Sequence, residues 1–237
     1  RDERVAVALH GRISQEEAEA TARDMLDRLP GVVSVAIESE GQTRVHGESG
    51  LEYRVGEFRY HISPGSFFQA SRYLLPKLVE AVTEAPRGEL ALDLFAGVGL
   101  FTLPLARRFA QVVGVEAGSN AVADLAVNAQ AHSLANIRAA GETAFDFLRR
   151  FAQAEPDLVV LDPPRAGIET RVLKLLAGCR PKQIHYLSCS PPTLARDLDF
   201  LLRRGYRMIS IEMFDLFPQT YHIESLVKVT RSDLVGT

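Results

Sequence analysis

The chain has 237 residues, enough to bury a sizeable core and more than one minimal domain needs, and 30 acidic against 27 basic side chains leave a formal charge of −3. That balance argues against a broad basic nucleic-acid surface, although arginines pair locally at Arg107-Arg108, Arg149-Arg150 and Arg203-Arg204. Two cysteines, Cys179 and Cys189, exclude a disulfide framework and a cysteine-rich metal site, and the six histidines show no ligand spacing.

No apolar run reaches about 18 residues and no basic-then-apolar leader opens the chain, so a soluble, cytoplasmic monomer without membrane contact is expected. Arg1 in place of an initiating Met fits an excised part of a longer protein, whose missing neighbour could carry the basic surface.

From Arg4 to about Ile62 the pattern predicts a small α+β module. It has a strand at 5–9, a helix at 15–29, and short strands at 32–37, 43–45, 51–55 and 58–61 between glycine and polar turns. A helix with Phe67, Phe68, Tyr73, Leu74, Leu75 and Leu78 on its apolar side then leads toward Pro86-Arg87-Gly88. The boundary is placed at its start, giving domains 1–62 and 63–237.

From Leu90 the rhythm becomes strand, loop, helix, which predicts a parallel sheet with crossover helices, a Rossmann-like α/β fold. Strands are expected at 90–95, 111–116, 136–140, 158–161 and 183–187, with helices at 101–109, 120–133, 143–151, 170–177 and 194–204. Two final strands, at 206–214 and 224–229, complete an antiparallel C-terminal edge.

Four strand ends carry chemistry. Asp93-Leu94-Phe95-Ala96-Gly97-Val98-Gly99 lies between a strand and a helix, where glycines let the backbone approach a nucleotide-like ligand. Thr102 stands where a dinucleotide fingerprint needs its third glycine, so the loop fits S-adenosylmethionine better than NAD. Glu116 ends the next strand, where a carboxylate can accept from both ribose hydroxyls of an adenosine; alone it would read as a surface carboxylate.

Asp162-Pro163-Pro164-Arg165 follows Leu158 to Leu161 and places a further carboxylate at the same sheet edge. Its prolines stiffen the loop, and Arg165 can meet a phosphate or a carboxylate. Finally, Ser188-Cys189-Ser190-Pro191-Pro192 sets a thiol where a strand gives way to a helix, with Ser190 as N-cap and the prolines in the first turn. The positive helix end is expected to favour the thiolate, making Cys189 a candidate nucleophile.

These segments, with Ser63-Pro64-Gly65-Ser66-Phe67-Phe68-Gln69 before them and His222-Ile223-Glu224-Ser225 after them, resemble the RNA uracil-C5 methyltransferase family. That family makes 5-methyluridine with S-adenosylmethionine, and the match runs from about Ser63 to Val229. The resemblance implies that Gln69, Phe95, Glu116 and Asp162, together with Gly97 of the loop, hold the cofactor. It implies that Cys189 adds to carbon 6 of a uracil and that Glu224 is the base that removes the carbon 5 proton. Departures include Leu100 and Ser190 where the family commonly has Asn.

The substrate so implied is a uridine in RNA, ribosomal RNA ahead of transfer RNA, and the N-terminal RNA-binding barrel that relatives often carry is expected to be missing from this chain. Two rival readings are an amino-group nucleobase methyltransferase using Asp162-Pro163-Pro164, which would leave Cys189 idle, and a noncatalytic RNA-binding module on a cofactor fold.

Overall fold

The computed structural model describes residues 4–69, 71, 73–85, 87–151 and 155–234. Two compact units divide between Phe68 and Gln69.

In the first unit β1 (Val5–His10) runs parallel to β2 (Val32–Ser39), and β3 (Gln42–Gly47) pairs antiparallel on the far side of β2. Helix α1 (Gln15–Arg28) crosses between the parallel strands. It starts in a capping box in which Ser14 and Glu17 satisfy each other's backbone N–H groups. Ala18 and Ala22 on one face of α1 pack on Val35 and Ile37, because strand side chains alternate while helix neighbours recur at four. A hairpin of β4 (Leu51–Val55) and β5 (Phe58–Ile62) follows, with Tyr53 and Tyr60 against Phe68.

Here the sequence pattern misleads in one place. Phe67 and Phe68 precede no helix of their own: α2 is Leu75–Thr83, and Ser63-Pro64-Gly65 forms a turn. Pro64 and Gly65 stop regular structure, while Phe68 finds its apolar partners in the hairpin. Pro86 of the expected turn lies outside the described residues.

The second unit holds a seven-stranded sheet of order β11-β12-β10-β9-β6-β7-β8. Its strands are β6 (Gly88–Leu94), β7 (Phe109–Glu116), β8 (Ile137–Gly141), β9 (Leu158–Leu161), β10 (Gln183–Ser188), β11 (Tyr206–Phe214) and β12 (Glu224–Arg231). Between them lie α3 (Thr102–Leu105), α4 (Ser119–Ala131), α5 (Ala144–Arg150), α6 (Thr170–Gly178) and α7 (Pro191–Leu202). Strands β6 to β10 pair parallel, and β12 pairs antiparallel with both β10 and β11.

The apolar run of β9 is buried along its whole length, as a strand covered on both faces requires. Helix α3 is much shorter than the sequence suggests. After Leu105 the chain closes a turn, with Arg107 N–H on Pro104 O and Arg108 N–H on Leu105 O, and Phe109 already belongs to β7. Among the described residues no helix is long and apolar enough to cross a membrane.

Strand order reverses at β6, which has β7 on one side and β9 on the other. Ligands of such sheets bind in the crevice beyond the carboxyl ends of the strands at this point. Asp93 and Phe95 lie at the end of β6 and Asp162 at the end of β9, so the switch point collects them.

Candidate active site

The loop after β6 is held in an unusual backbone path. Phe95 has φ 68°, a region that costs a bulky residue about 1–3 kcal/mol. It is fixed there because the N–H groups of Phe95 and Ala96 both donate to Val115 O at 3.0 Å. Gly97 continues at φ 54°, and a side chain added to it would meet nothing within 4 Å. Open space therefore lies beside the loop at the switch point.

Glu116, at the end of β7, accepts from Gly97 N–H at 2.9 Å and from Gly118 N–H at 2.7 Å, one carboxylate oxygen each. The carboxylate braces the loop and keeps lone pairs for a ligand. Asp93 is fully buried and accepts from Thr102 Oγ1 at 2.5 Å, whereas its other oxygen has no partner among the described residues. Thr102, the residue that breaks the dinucleotide fingerprint, is thus the partner that keeps Asp93 tolerable. Burial lifts the Asp93 carboxyl to about 7, against the Thr102 bond and with help from Glu116. Leu100 is buried in the core.

Two further carboxyls lie at the same edge. Burial, then the neighbouring charges of Glu224 and Asp93, raises Asp162 to about 8, with a hydrogen bond from the buried Gln69 side chain acting the other way. Glu224, 5% exposed at the start of β12, is raised to about 7 by burial and drawn back by Arg165. Three acids that share one edge with little water resist ionising together.

Cys189 enters through β10. In the antiparallel ladder Ser188 pairs with Ser225, so the following residue, Cys189, and the preceding one, Glu224, are brought alongside at the open end. Burial and then Glu224 push the Cys189 thiol above its ordinary value, and Arg165 opposes them. This corrects the expectation that the helix end alone favours the thiolate: desolvation and a facing carboxylate outweigh it. Ser190 does stand at the N-cap with the prolines in the first turn, but its side chain makes no capping bond. Instead its carbonyl accepts from Thr193 Oγ1 at 3.1 Å and its N–H donates to Ser188 Oγ at 3.1 Å.

A clamp that the sequence reading passed over joins the two prolyl loops. Asp197 of α7 is fully buried and accepts from Tyr186 Oη at 2.7 Å, Ile168 N–H at 2.8 Å and Arg196 Nε at 2.8 Å. Arg196 Nη2 also donates to the carbonyls of Ala166 and Ile168, at 3.2 Å each. Gly167, at φ 73°, sits against these groups so closely that a Cβ would come within 2.7 Å of both Arg196 Nη2 and Asp197 Oδ2. The signal was present: Leu194, Asp197, Leu198 and Leu201 share the buried stripe of α7, where an aspartate must have partners.

Fold and site define a class I methyltransferase, a doubly wound sheet with its crevice at the β6/β9 switch point. The model of the tRNA (uracil-5-)-methyltransferase family matches residues 42–232, and the chain belongs to that family. It is 35% identical over 223 residues to an uncharacterized RNA methyltransferase of Thermotoga maritima, covering 89% of this chain and 51% of the relative. A Streptomyces avermitilis relative of the same description is 38% identical over 205 residues, 84% of this chain and 47% of its own.

Among solved structures, the Pyrococcus abyssi tRNA (uracil-54, C5)-methyltransferase in complex with S-adenosyl-L-homocysteine is similar at TM-score 0.69 and 31% identity. The match covers 84% of this chain and 51% of that one. M. jannaschii TYW2 in complex with AdoMet, at TM-score 0.57 and 16% identity, covering 84% of this chain and 94% of that one, shares the fold. The chain spans about half the length of the curated relatives it matches.

Proposed function

We propose that this chain transfers a methyl group to carbon 5 of a uridine in RNA through a covalent adduct with Cys189. The observation that carries the reading is the β10–β12 register, which brings a thiol and a buried carboxylate together with Arg165 acting on both.

The methyl donor is S-adenosylmethionine, which supplies an electrophilic methyl on a sulfonium. The residues of the crevice fit it. Gly97 leaves room beside the loop, Glu116 offers free lone pairs to ribose hydroxyls, and the unpartnered oxygen of Asp93 and the carboxyl of Asp162 suit a cationic ligand. Phe95 and Gln69 line the same edge.

Carbon 5 of uracil is a weak nucleophile. Addition of Cys189 Sγ to carbon 6 moves the carbon 5–carbon 6 pair toward carbon 5, which can then take the methyl. Glu224 next accepts the carbon 5 proton, and the electron pair of that C–H bond restores the double bond as the sulfur leaves. Thiolate and carboxylate repel each other, and burial and Glu224 hold the thiol above its ordinary value while Glu224 sits at about 7, so the carboxylate carries the charge at rest. Glu224 takes the thiol proton as the sulfur adds to carbon 6. Once the sulfur is a neutral thioether, Glu224 passes that proton to water and is again a carboxylate when the carbon 5 proton must be removed.

The direct assay gives the chain tritiated-methyl S-adenosylmethionine with ribosomal RNA and, separately, transfer RNA transcripts, then digests each to nucleosides. Label in 5-methyluridine supports the reading; label confined to amino-methylated bases would replace it with the rival chemistry.

A further inference from the structure

The loop between β11 and β12 ends at Ile223, directly before Glu224, and carries three rings. Phe217 is half-buried, His222 is half-buried, and Tyr221 is 89% exposed. The loop is braced from within: Thr220 Oγ1 donates to Phe217 O at 2.7 Å and accepts from His222 N–H at 3.1 Å. Tyr221 is therefore presented by a built turn.

Arg165 meets the same group. Its Nη2 lies 3.4 Å from His222 Nδ1 and 3.3 Å from His222 Nε2. One nitrogen nearly equidistant from both ring nitrogens cannot lie in the ring plane, where it would strike the carbon between them, so the guanidinium lies over the imidazole face. The Tyr221 ring is 4.1 Å from that of His222, and Phe217 meets His222 edge-on at 6.1 Å. The imidazole of His222 thus touches both the guanidinium of Arg165, whose charge acts on Cys189 and Glu224, and the exposed phenol ring of Tyr221, which is tilted 47° to it.

We propose that Tyr221 and His222 form a stacking platform for the RNA bases that flank the target uridine. A uridine whose carbon 6 meets Cys189 must leave its stack, and its neighbours lose a stacking face in turn. Aromatic rings and arginine planes replace such faces in single-stranded RNA recognition, whatever the base. Arg165, fixed by His222, then holds the platform in register with the reacting pair. The inference rests on the proposed RNA methyl transfer and adds the residues that would seat the strand.

The test measures fluorescence anisotropy of a labelled twelve-residue oligouridylate and of the same ribose-phosphate chain without bases. The wild-type chain is expected to bind oligouridylate on the order of tenfold more tightly than the abasic strand. Tyr221→Ala, a surface change, should narrow that gap while abasic binding stays constant, and Tyr221→Phe should restore it. Equal binding of both strands by the wild type, or an unchanged gap in Tyr221→Ala, would overturn the platform. Wild-type chain that fails to methylate uridine while the gap still depends on Tyr221 would instead overturn the proposed reaction alone.

Discussion

Cys189 and Glu224 stand alongside each other because β10 and β12 run antiparallel and Ser188 pairs with Ser225. Glu224 is held from both sides, since β12 is also paired with β11 along its length, and Cys189 directly follows the last paired residue of β10. If Glu224 is the base that releases the adduct, Glu224→Gln should still form the sulfur–carbon 6 bond but clear it slowly. Turnover should fall roughly 10²- to 10⁴-fold. Intact mass spectrometry should show a methylated RNA–protein adduct. Loss of turnover without any adduct would place Glu224 before the addition step.

Asp197 serves as the hub between the Pro-Pro-Arg loop and the helix behind Cys189. Asp197→Ala leaves Tyr186 Oη and Ile168 N–H without their acceptor, a loss of about 2–4 kcal/mol for two stranded buried donors, while the partly exposed Arg196 keeps the carbonyls of Ala166 and Ile168. A thermal midpoint lower by about 10 °C is expected for a chain of this size. Asp197→Asn keeps an acceptor and should fall between. Unchanged melting in both variants would show that the clamp is not formed.

Three carboxyls at the sheet edge, Asp93 and Glu224 buried and Asp162 half-buried, set a pH dependence. Asp93, Asp162 and Glu224 all have folded values raised above their ordinary range, to about 7, 8 and 7. A raised value means that the folded state holds its proton more tightly than the unfolded chain. The contribution is therefore full below pH about 4 and fades as pH rises through about 7 to 8, by on the order of 1 kcal/mol per group per pH unit in between. Denaturant midpoints for the ligand-free chain should drop between pH 5.5 and 8.5, and Asp162→Asn should flatten the slope. A midpoint that rises across that window contradicts the assignment.

Glu116 is an acceptor for two N–H groups, and a carboxylate is suited to that because it has no donor of its own. Glu116→Gln keeps one acceptor and turns an amide N–H toward Gly97 or Gly118. The cofactor dissociation constant, measured by calorimetry, should rise on the order of tenfold, about 1.4 kcal/mol. Binding unaltered by the substitution would remove Glu116 from the cofactor crevice.

Much of the fold was legible because periodicity and punctuation agree. Gly and Asp at strand ends, Ser190 before two prolines and the apolar run of β9 each mark an element boundary, and β11 matches its expected limits. The failures have local causes. Phe67 and Phe68 fit a helical spacing, but Phe67 is left exposed and Phe68 packs with a hairpin that only tertiary structure brings near, and α3 gives way to a turn ahead of β7. At the site, residue types could be read from sequence, whereas charge states could not. Whether Cys189 is a ready thiolate depends on how much water Glu224 and burial leave it, and Asp197 matters through residues 11 and 29 positions away.

The covalent step is the centre of the account, and RNA carrying 5-fluorouridine tests it most directly. Fluorine cannot leave as a proton does, so Glu224 has nothing to abstract and the sulfur cannot depart. With S-adenosylmethionine present, a stable adduct of chain and RNA is expected that maps to Cys189 and is absent in Cys189→Ala. Methyl transfer to uridine RNA at full rate by Cys189→Ala, with no adduct from the wild type, would contradict it.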